Sequence, residues 1–314
     1  MNPKDLQNPL FTVVIPVLDE QECVKPLLER VSASLAPHGN YEIVVVDDGS
    51  SDRTPDIVEK IAGLDSRIKL LRFSRNFGHQ AAITAGLNAA RGAAVVIIDG
   101  DLQDPPELIP SMIERWRCGF KVVYAVRRNR KEGLAKRAAY KAFYFLMRAI
   151  APFPIPLDSG DFSLIDREVL EHMVKMPERT RFVRGLRAWV GFPQVGIEYD
   201  RQGRAHGAPK YTLGKLFGLG RNGIIAFSGL PLRISFVLGI SLSLGALFGA
   251  SGLVVLKMLF HIDAPVGWFS LAVGFLFFTG VQFMFLGVIG EYLSLVLEEV
   301  QQRPNYIIKK RVNI

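Results

Sequence analysis

The fold of this 314-residue chain is decided by one segment, Val95-Val96-Ile97-Ile98-Asp99-Gly100-Asp101-Leu102-Gln103-Asp104-Pro105-Pro106-Glu107. Its four leading apolar residues, mostly β-branched, predict a short buried strand, and the Pro-Pro pair can open a helix. In an extended chain Asp99, Asp101 and Gln103 point the same way, so their oxygens are expected to converge just past the strand. Open α/β sheets bind ligands at that edge, and hard oxygen ligands suit Mg²⁺ or Mn²⁺. Taken alone, such an acidic pair is more often a solvated, capped turn.

Strand-like and helix-like segments alternate regularly around this segment. Strands are predicted near residues 11–16, 41–46, 68–73 and 121–126, and helices near 22–35, 51–64, 78–91 and 107–118. A short strand beginning near Asp161 and helices near 167–175 and 180–190 follow. This alternation predicts an α/β domain with a doubly wound, mostly parallel sheet.

Acidic loops follow three of the predicted strands, at residues 16–20, 47–52 and 99–103. The carboxyl ends of parallel strands share one edge, so these acids would repel one another unless a metal ion or sugar hydroxyls lay between them. Together the loops indicate a site for a nucleoside diphosphate. A literal G-x-G-x-x-G at 218–223 lacks the preceding strand of a dinucleotide fingerprint. His79 is interpreted as a polar loop residue rather than a metal ligand.

The net charge of +8 is unevenly distributed, with basic residues concentrated between 127 and 148 and after Glu299. Basic runs beside apolar segments fit an anionic lipid surface better than nucleic acid, so a membrane and no nucleic-acid partner are expected. Two cysteines at unrelated spacing provide neither a metal motif nor a disulfide framework. The first residues contain no apolar signal-peptide core, so the α/β domain is expected to stay in the cytoplasm.

Residues 234–256 and 269–290 contain no charged side chain and are each long enough to cross ~30 Å of hydrocarbon as a helix. A buried helical hairpin of a soluble protein is the alternative. The positive-inside rule places both flanks, and hence both termini, in the cytoplasm. The predicted organisation is a cytoplasmic domain over 1–211, an amphipathic juxtamembrane segment over 212–230, a two-helix anchor over 231–293 and a basic cytoplasmic tail over 294–314. Small residues in the spans would allow a homo-oligomer.

Eight motifs are spread over nearly the whole chain. They are VVIPVLDE (13–20), VVVDDGSSD (44–52), FSRNFGHQAA (73–82), IIDGDLQDPPE (97–107), VYAVRRNR (123–130), SGDFSLIDR (159–167), PERTRFVRGLRAWVGF (177–192) and GVIGEYL (287–293). The set resembles the inverting nucleotide-sugar glycosyltransferases of GT-A fold, and in particular the polyprenyl-phosphate glycosyltransferases, such as bactoprenol glucosyltransferases and dolichol-phosphate mannose synthases. The resemblance implies a GT-A-type, mostly parallel sheet followed by interfacial amphipathic helices and two transmembrane helices.

The resemblance also implies which residues bind the donor. A divalent metal, Mg²⁺ or Mn²⁺, would be held on the donor diphosphate by Asp99, Asp101 and Gln103. The nucleotide sugar would be contacted by the acidic loops, through Pro16, Asp19, Glu20, Asp48, Asp99 and Asp101. The first loop reads Leu-Asp-Glu where the family commonly has Tyr-Asn-Glu.

On the acceptor side, the resemblance implies that Asp161 is a catalytic carboxylate, together with Asp101 and Arg127. Because a dianionic phosphate that approaches an acidic site needs cationic guidance, the candidate phosphate ligands are Arg127, Arg128, Arg181 and Lys210. Each of them could equally be a solvated surface residue. The family's G-x-S-K-[YF] motif reads Gly207-Ala208-Pro209-Lys210-Tyr211 here, so the lysine is kept while proline replaces the usual serine.

The predicted reaction is inverting transfer of a sugar, with glucose from UDP-glucose favoured, to undecaprenyl or another polyprenyl phosphate at the cytoplasmic membrane face. Inversion needs an in-line acceptor oxygen and no enzyme nucleophile. A phosphate monoester is mostly dianionic at pH 7, with a second pKa of about 6, so Asp161 could either deprotonate the acceptor or only orient it. The alternatives are another donor, such as GDP-mannose or UDP-linked aminoarabinose, and a catalytically silent membrane adaptor that binds nucleotide.

Overall fold

The structure is a computed structural model that describes residues 10–128, 159–178, 181–200 and 267–314, together with isolated positions between 237 and 259. The chain divides into two compact units, Met1–Phe217 with Pro304–Ile314, and Gly218–Arg303. The predicted amphipathic segment 212–230 and the predicted phosphate ligand Lys210 lie outside the described residues.

An eight-stranded sheet of order β7-β5-β6-β4-β1-β2-β3-β8 forms the first unit. Its strands are β1 (Phe11–Val17), β2 (Tyr41–Asp47), β3 (Ile68–Phe73), β4 (Ala94–Ile97), β5 (Val122–Arg127), β6 (Ser159–Asp166), β7 (Gln194–Tyr199) and β8 (Ile308–Val312). The helices that the structure describes in this unit are α1 (Val24–Leu35), α2 (Thr54–Leu64), α3 (His79–Ala89), α4 (Ile109–Arg117), α5 (Arg167–Lys175) and α6 (Val183–Trp189). The predicted alternation of strands and helices up to β5 is confirmed.

Four central strands, β4, β1, β2 and β3, run parallel to one another. They are continuous apolar runs because helices cover both faces of a parallel sheet, and β1, β2 and β4 are buried along their whole length. In this register Val14 lies beside Val44 and Ile97, and Val17 beside Asp47. The loops that follow β1, β2 and β4 therefore leave the sheet at the same edge, as the acidic loops were predicted to do.

Strand β6 makes the sheet mixed, since it runs antiparallel to both β4 and β5. Ser163 pairs with Ile97 of β4 and with Tyr124 of β5. Continuing the β4–β6 register by two residues places Asp161 opposite Asp99. Because β6 is antiparallel to β4, the Asp161 carboxylate lies at the edge of the sheet where β4 ends.

Strand β8 lies within the segment that was predicted only as a basic tail. It pairs antiparallel with β3, with Leu71 beside Arg311. Ahead of β8, the Tyr306 ring stacks on Phe73 with centroids 5.1 Å apart. After it, the Asn313 amide donates hydrogen bonds to main-chain carbonyls of the α2 end and the β3 start. The C-terminal residues therefore cover an edge of β3 that would otherwise present unpaired backbone groups.

In the second unit the structure describes a long helix, α7 (Trp268–Val300), which includes the predicted span 269–290. Within α7, Phe277–Val300 is long and apolar enough to cross a membrane, and it is the one such helix in the described part of the chain. The other predicted span, 234–256, lies mostly outside the described residues, although its described positions are helical. Gly239 approaches α7 closely, because a Cβ atom on it would lie 3.6 Å from the Phe285 ring.

Candidate active site

The first two acidic loops are hydrogen-bonded to each other. Asp19 adopts a left-handed conformation with φ of 50°, and its carboxylate accepts hydrogen bonds from the Ser51 N–H at 2.7 Å and from the Asp52 N–H at 3.3 Å. The Glu20 N–H donates to Thr54 Oγ1 at 2.9 Å. Asp19 and Glu20, which are predicted to contact the nucleotide sugar, are thus hydrogen-bonded to the loop that follows β2. The two loops form one wall of the site.

Asp48 shapes the loop that leads into α3. Its buried carboxylate accepts hydrogen bonds from the N–H groups of Phe77 at 2.7 Å and Gly78 at 3.0 Å. Burial raises the pKa of Asp48, and the two backbone hydrogen bonds act against that rise. The neighbouring Gly49 has φ of 76°, and a Cβ atom there would lie 2.5 Å from the main chain of Arg75. Only glycine allows these two loops to approach so closely.

The loop after β4 turns instead of continuing the strand. Gly100 and Asp101 form a turn, Leu102 has φ of 60°, and the Asp101 carboxylate accepts a hydrogen bond from the Gln103 N–H at 3.2 Å. The prediction of an extended segment with three side chains on one face was therefore wrong, because Asp101 closes a local turn on its own backbone. Pro16 lies behind this turn, with its carbonyl oxygen 3.0 Å from where a Gly100 Cβ atom would stand.

The donor set of this turn fits one hard divalent cation. Two carboxylates and an amide lie within five residues, and Asp99 Oδ1 is buried without a hydrogen-bond partner among the described residues. Burial raises the pKa of Asp99 to about 6, against the opposing charge of His79. No group of three or more His, Cys, Asp and Glu residues in the described ranges could hold a metal ion. A cation here would therefore take its remaining ligands from an amide, water or substrate.

His79 lies between Asp99, which is predicted to bind the donor, and Asp161, which is predicted to act on the acceptor side. Its Nε2 lies 3.4 Å from Asp161 Oδ2 and 3.5 Å from Asp99 Oδ1. Burial would lower the pKa of His79, but the hydrogen bond to Asp161 and the charge of Asp99 raise it to about 9. His79 is the first residue of α3, so its interpretation as a polar loop residue was wrong. His79 lies in the motif FSRNFGHQAA, but its partners come from the loop after β4 and from β6, so the motif alone does not predict them.

Asp161 is 3% exposed and is bound by cationic and polar side chains. Arg184 on α6 donates to it through Nε at 2.8 Å and a terminal nitrogen at 3.1 Å. Gln80 accepts a hydrogen bond from the Val183 N–H at 3.0 Å, and its amide nitrogen lies 3.4 Å from Asp161. Although burial opposes it, the charges of Arg184 and His79 hold the pKa of Asp161 well below its usual range. Asp161 is therefore a weak base, and its two hydrogen bonds fix the position of the Arg184 side chain.

Arg127, at the end of β5, is held by a tyrosine from β7. The Arg127 Nε donates to Tyr199 Oη at 3.3 Å, and that hydroxyl donates to the buried carboxylate of Asp104. Gly160 leaves room for the guanidinium, since a Cβ atom on it would lie 3.3 Å from a terminal nitrogen of Arg127. Neither Tyr199 nor Asp104 was predicted as a site residue. Asp104 belongs to the QDPPE motif, whereas Tyr199 lies on a strand that was not predicted.

Two of the other predicted phosphate ligands are engaged elsewhere. Arg128 is exposed, with its Nε 3.7 Å from Glu198. The Arg181 guanidinium donates hydrogen bonds to main-chain carbonyls at the end of α5, including that of Met173 at 3.0 Å. Arg184, which lies in the motif PERTRFVRGLRAWVGF but was not predicted as a phosphate ligand, is the arginine that donates hydrogen bonds to Asp161.

Comparison with known proteins identifies the family. Residues 12–174 match the glycosyl transferase family 2 model. The chain is 43% identical over 306 residues to the uncharacterized glycosyltransferase YkcC of Bacillus subtilis, covering 97% of this chain and 94% of that protein. It is 40% identical over 304 residues to the SfII prophage-derived bactoprenol glucosyl transferase of Shigella flexneri, covering 96% of this chain and 97% of the relative. The chain therefore belongs to glycosyl transferase family 2.

Proposed function

We propose that this glycosyltransferase moves a sugar, glucose from UDP-glucose in the favoured case, to undecaprenyl or another polyprenyl phosphate. One observation carries the proposal: His79 joins Asp99 of the donor-side turn to Asp161 and its arginine at a single sheet edge. Donor and acceptor would meet between these two carboxylates. The Shigella flexneri relative is named a bactoprenol glucosyl transferase, which supports glucose as the sugar and bactoprenol as the lipid.

The donor would be held through its diphosphate. Asp99, Asp101 and Gln103 would bind Mg²⁺ or Mn²⁺, which, when bound, supplies positive charge that neutralises the leaving nucleoside diphosphate. Asp19, Glu20 and the loop shaped by Asp48 would surround the nucleoside. These roles agree with the hydrogen-bonded wall that the first two loops form.

The acceptor phosphate needs orientation more than deprotonation. At pH 7 it is mostly a dianion, since its second pKa is about 6. One of its oxygens forms the new bond to C1 of the sugar, opposite the leaving group. The bond between C1 and the nucleotide's terminal phosphate oxygen breaks, which inverts C1 and releases the nucleoside diphosphate. Asp161, whose pKa is held low, would keep Arg184 in position while Arg127 binds the phosphate.

The proposal includes the membrane organisation predicted from the sequence. The segment 234–256 would form a second span beside α7, with both termini and the domain over 1–211 in the cytoplasm. The segment 212–230 would then lie along the membrane surface, where a polyprenyl phosphate presents its head group. The length and apolar composition of Phe277–Val300, within α7, support a membrane span in this part of the chain.

A donor screen tests the reaction. Membranes that contain the full chain are incubated with undecaprenyl phosphate and one radiolabelled nucleotide sugar at a time, and lipid-extractable label is counted. Label from UDP-glucose alone supports glucosyl transfer. Label from GDP-mannose or a UDP-linked aminoarabinose alone would replace glucose by that sugar. Absence of lipid-linked label with every donor would contradict the proposal and favour the silent adaptor.

Asp101→Asn tests the metal role. The substitution keeps the shape of the turn but removes a charge that a cation needs, so we expect label to fall by at least about 100-fold, as for other lost electrostatic contributions to a transition state. Asp56→Asn is the matched control, because Asp56 lies exposed in the first turn of α2. Unchanged transfer by Asp101→Asn would contradict the assignment of the metal to this turn.

A further inference from the structure

Gln80, the second residue of α3, contacts two different elements through the two ends of its amide. Its oxygen accepts a hydrogen bond from the Val183 N–H at 3.0 Å, and its nitrogen lies 3.4 Å from Asp161 Oδ2. Because a backbone N–H can only donate, the amide oxygen must face Val183 and the amide nitrogen must face Asp161. The chemistry of the two partners therefore fixes the direction of this side chain, which was not predicted as a site residue.

Val183 begins α6, the seven-residue helix that carries Arg184. The first N–H groups of a helix have no partner within the helix, and an acceptor from a side chain stabilises the helix start. The preceding residue, Phe182, has no side-chain oxygen that could accept. A helix this short owes its position to contacts with the rest of the fold. The hydrogen bond to Gln80 therefore helps to fix the point at which the Arg184 side chain leaves the backbone.

Gln80 differs in charge from Arg184 and His79, which also contact Asp161. Those two side chains are cations that lie 2.8 Å and 3.4 Å from the carboxylate, whereas the amide is neutral. An amide orients its partner through a hydrogen bond but brings no net charge to attract or repel a phosphate. Replacing Gln80 by another neutral side chain therefore changes the positions of the charged groups and leaves their number unchanged.

The backbone on either side of Gln80 is itself hydrogen-bonded. Ahead of it, Asp48 accepts hydrogen bonds from the two N–H groups that precede α3. Beyond it, Thr84 Oγ1 donates to the Gln80 carbonyl oxygen at 2.7 Å. A side chain on a fixed backbone can define the geometry of the groups that it contacts. Gln80 can therefore hold Asp161 and the start of α6 at one spacing.

We propose that Gln80 is a positioning residue for the acceptor phosphate and acts through Asp161 and Arg184. Its oxygen sets the start of α6 and its nitrogen orients the carboxylate to which Arg184 donates. The Arg184 side chain is 30% exposed, so a ligand can reach it, while that of Asp161 is 3% exposed. The inference rests on the proposed function, since it concerns the acceptor of that reaction.

Kinetics of the full chain in detergent test this role. Gln80→Met is similar in length, removes both hydrogen bonds and changes no charge. We expect it to raise the KM for undecaprenyl phosphate about tenfold, as for the loss of a hydrogen bond to a charged group, and to leave the KM for the nucleotide sugar unchanged. Asn88→Leu is the matched control, because it removes an exposed amide of the same helix that donates to Tyr306 Oη. Both KM values of this control should equal those of the wild type.

Val183→Pro tests the same hydrogen bond from its other end. Proline is tolerated at the first position of a helix, and it lacks the N–H that donates to Gln80. We expect this variant also to raise the KM for the lipid phosphate alone. Adding it to Gln80→Met should cause no further rise, because both changes remove one shared bond. A further rise in the double variant would contradict the proposal.

The outcomes separate this inference from the proposed function. An active wild type and a Gln80→Met variant with equal KM for the lipid phosphate overturn the role of Gln80 alone. An equal loss of donor and acceptor affinity also overturns it, because the amide then serves the fold. If Gln80→Met does not fold, Val183→Pro decides by the same two KM values, and failure of both variants to fold counts against the role. A wild type that transfers no sugar to the lipid phosphate overturns the proposed function itself.

Discussion

His79 stands between two carboxylates, and this position makes the stability of the site depend on pH. Its pKa is about 9 in the folded chain, against an ordinary value of 6.5. Below pH 6.5 the imidazole is protonated in both the folded and unfolded states, and its stabilising contribution is complete. Between pH 6.5 and about 9 the unfolded state releases the proton while the folded state keeps it. The contribution is therefore lost as pH rises through this interval.

We expect the melting temperature of the metal-free wild type to fall more steeply between pH 6.5 and 9 than that of His79→Asn. The lost contribution is on the order of 1–2 kcal/mol once solvent screening at this side chain, which is 33% exposed, is allowed for. Melting curves in a chelating buffer measure it, and the difference between the two variants isolates His79 from other titrating groups. If the melting temperatures of the wild type and His79→Asn changed in parallel with pH, the ion pairs of His79 with Asp99 and Asp161 would be contradicted.

Residues that follow a strand could be predicted as site residues from the sequence, and residues that meet them from elsewhere could not. Asp99 and Asp48 each end a recognisable apolar run, so elementary topology places them at one edge. Arg184 lies in the motif PERTRFVRGLRAWVGF, but its sequence does not indicate which acidic residues lie near it. Its relation to Asp161 depends on how α6 packs on β6, which is a matter of tertiary structure.

Among the elements, β7 positions Arg127 through Tyr199, although the sequence of β7 does not predict a strand. Its residues, Gln194–Tyr199, include a glycine and a glutamate, and a central glycine weakens a strand prediction. The strand forms because it pairs in parallel with β5, which places Tyr199 beside Arg127. Strand β8 was missed for a related reason. It is an edge strand with three basic residues. Charged residues protect an edge strand from pairing with another chain, but they also weaken the apolar pattern by which a strand is predicted.

Tyr199→Phe tests whether β7 serves catalysis through Arg127. The substitution removes one hydroxyl, which receives a hydrogen bond from Arg127 and donates one to Asp104, and it leaves the ring in the core. We expect the KM for the lipid phosphate to rise about fivefold to tenfold, corresponding to the loss of about 1–1.5 kcal/mol for one hydrogen bond. The KM for the nucleotide sugar should stay constant. Tyr41→Phe, on another strand of the same core, is the control. A uniform loss of both affinities would indicate a general packing defect instead.

On the scale of the whole molecule, the first compact unit is assembled from two distant parts of the chain. Residues up to Phe217 supply seven strands, and Pro304–Ile314, after the apolar helix, supplies the eighth. Without the last strand, β3 would expose a row of backbone groups and the face of Phe73 that Tyr306 now covers. We therefore expect the pairing of β8 with β3 to stabilise the sheet.

Two shortened chains test this dependence. One contains residues 1–217 alone, and the other joins them through a flexible Gly/Ser linker to residues 304–314. We expect the joined chain to melt several degrees higher, since about 1–2 kcal/mol shifts the melting temperature of a domain of this size by roughly 2–8 °C. The shorter chain should associate through its open β3 edge, which size-exclusion chromatography would detect. Replacing Tyr306 by alanine in the joined chain should remove part of the gain. Equal melting temperatures for the two chains would mean that β8 contributes nothing to the sheet, and that the edge of β3 is protected in some other way.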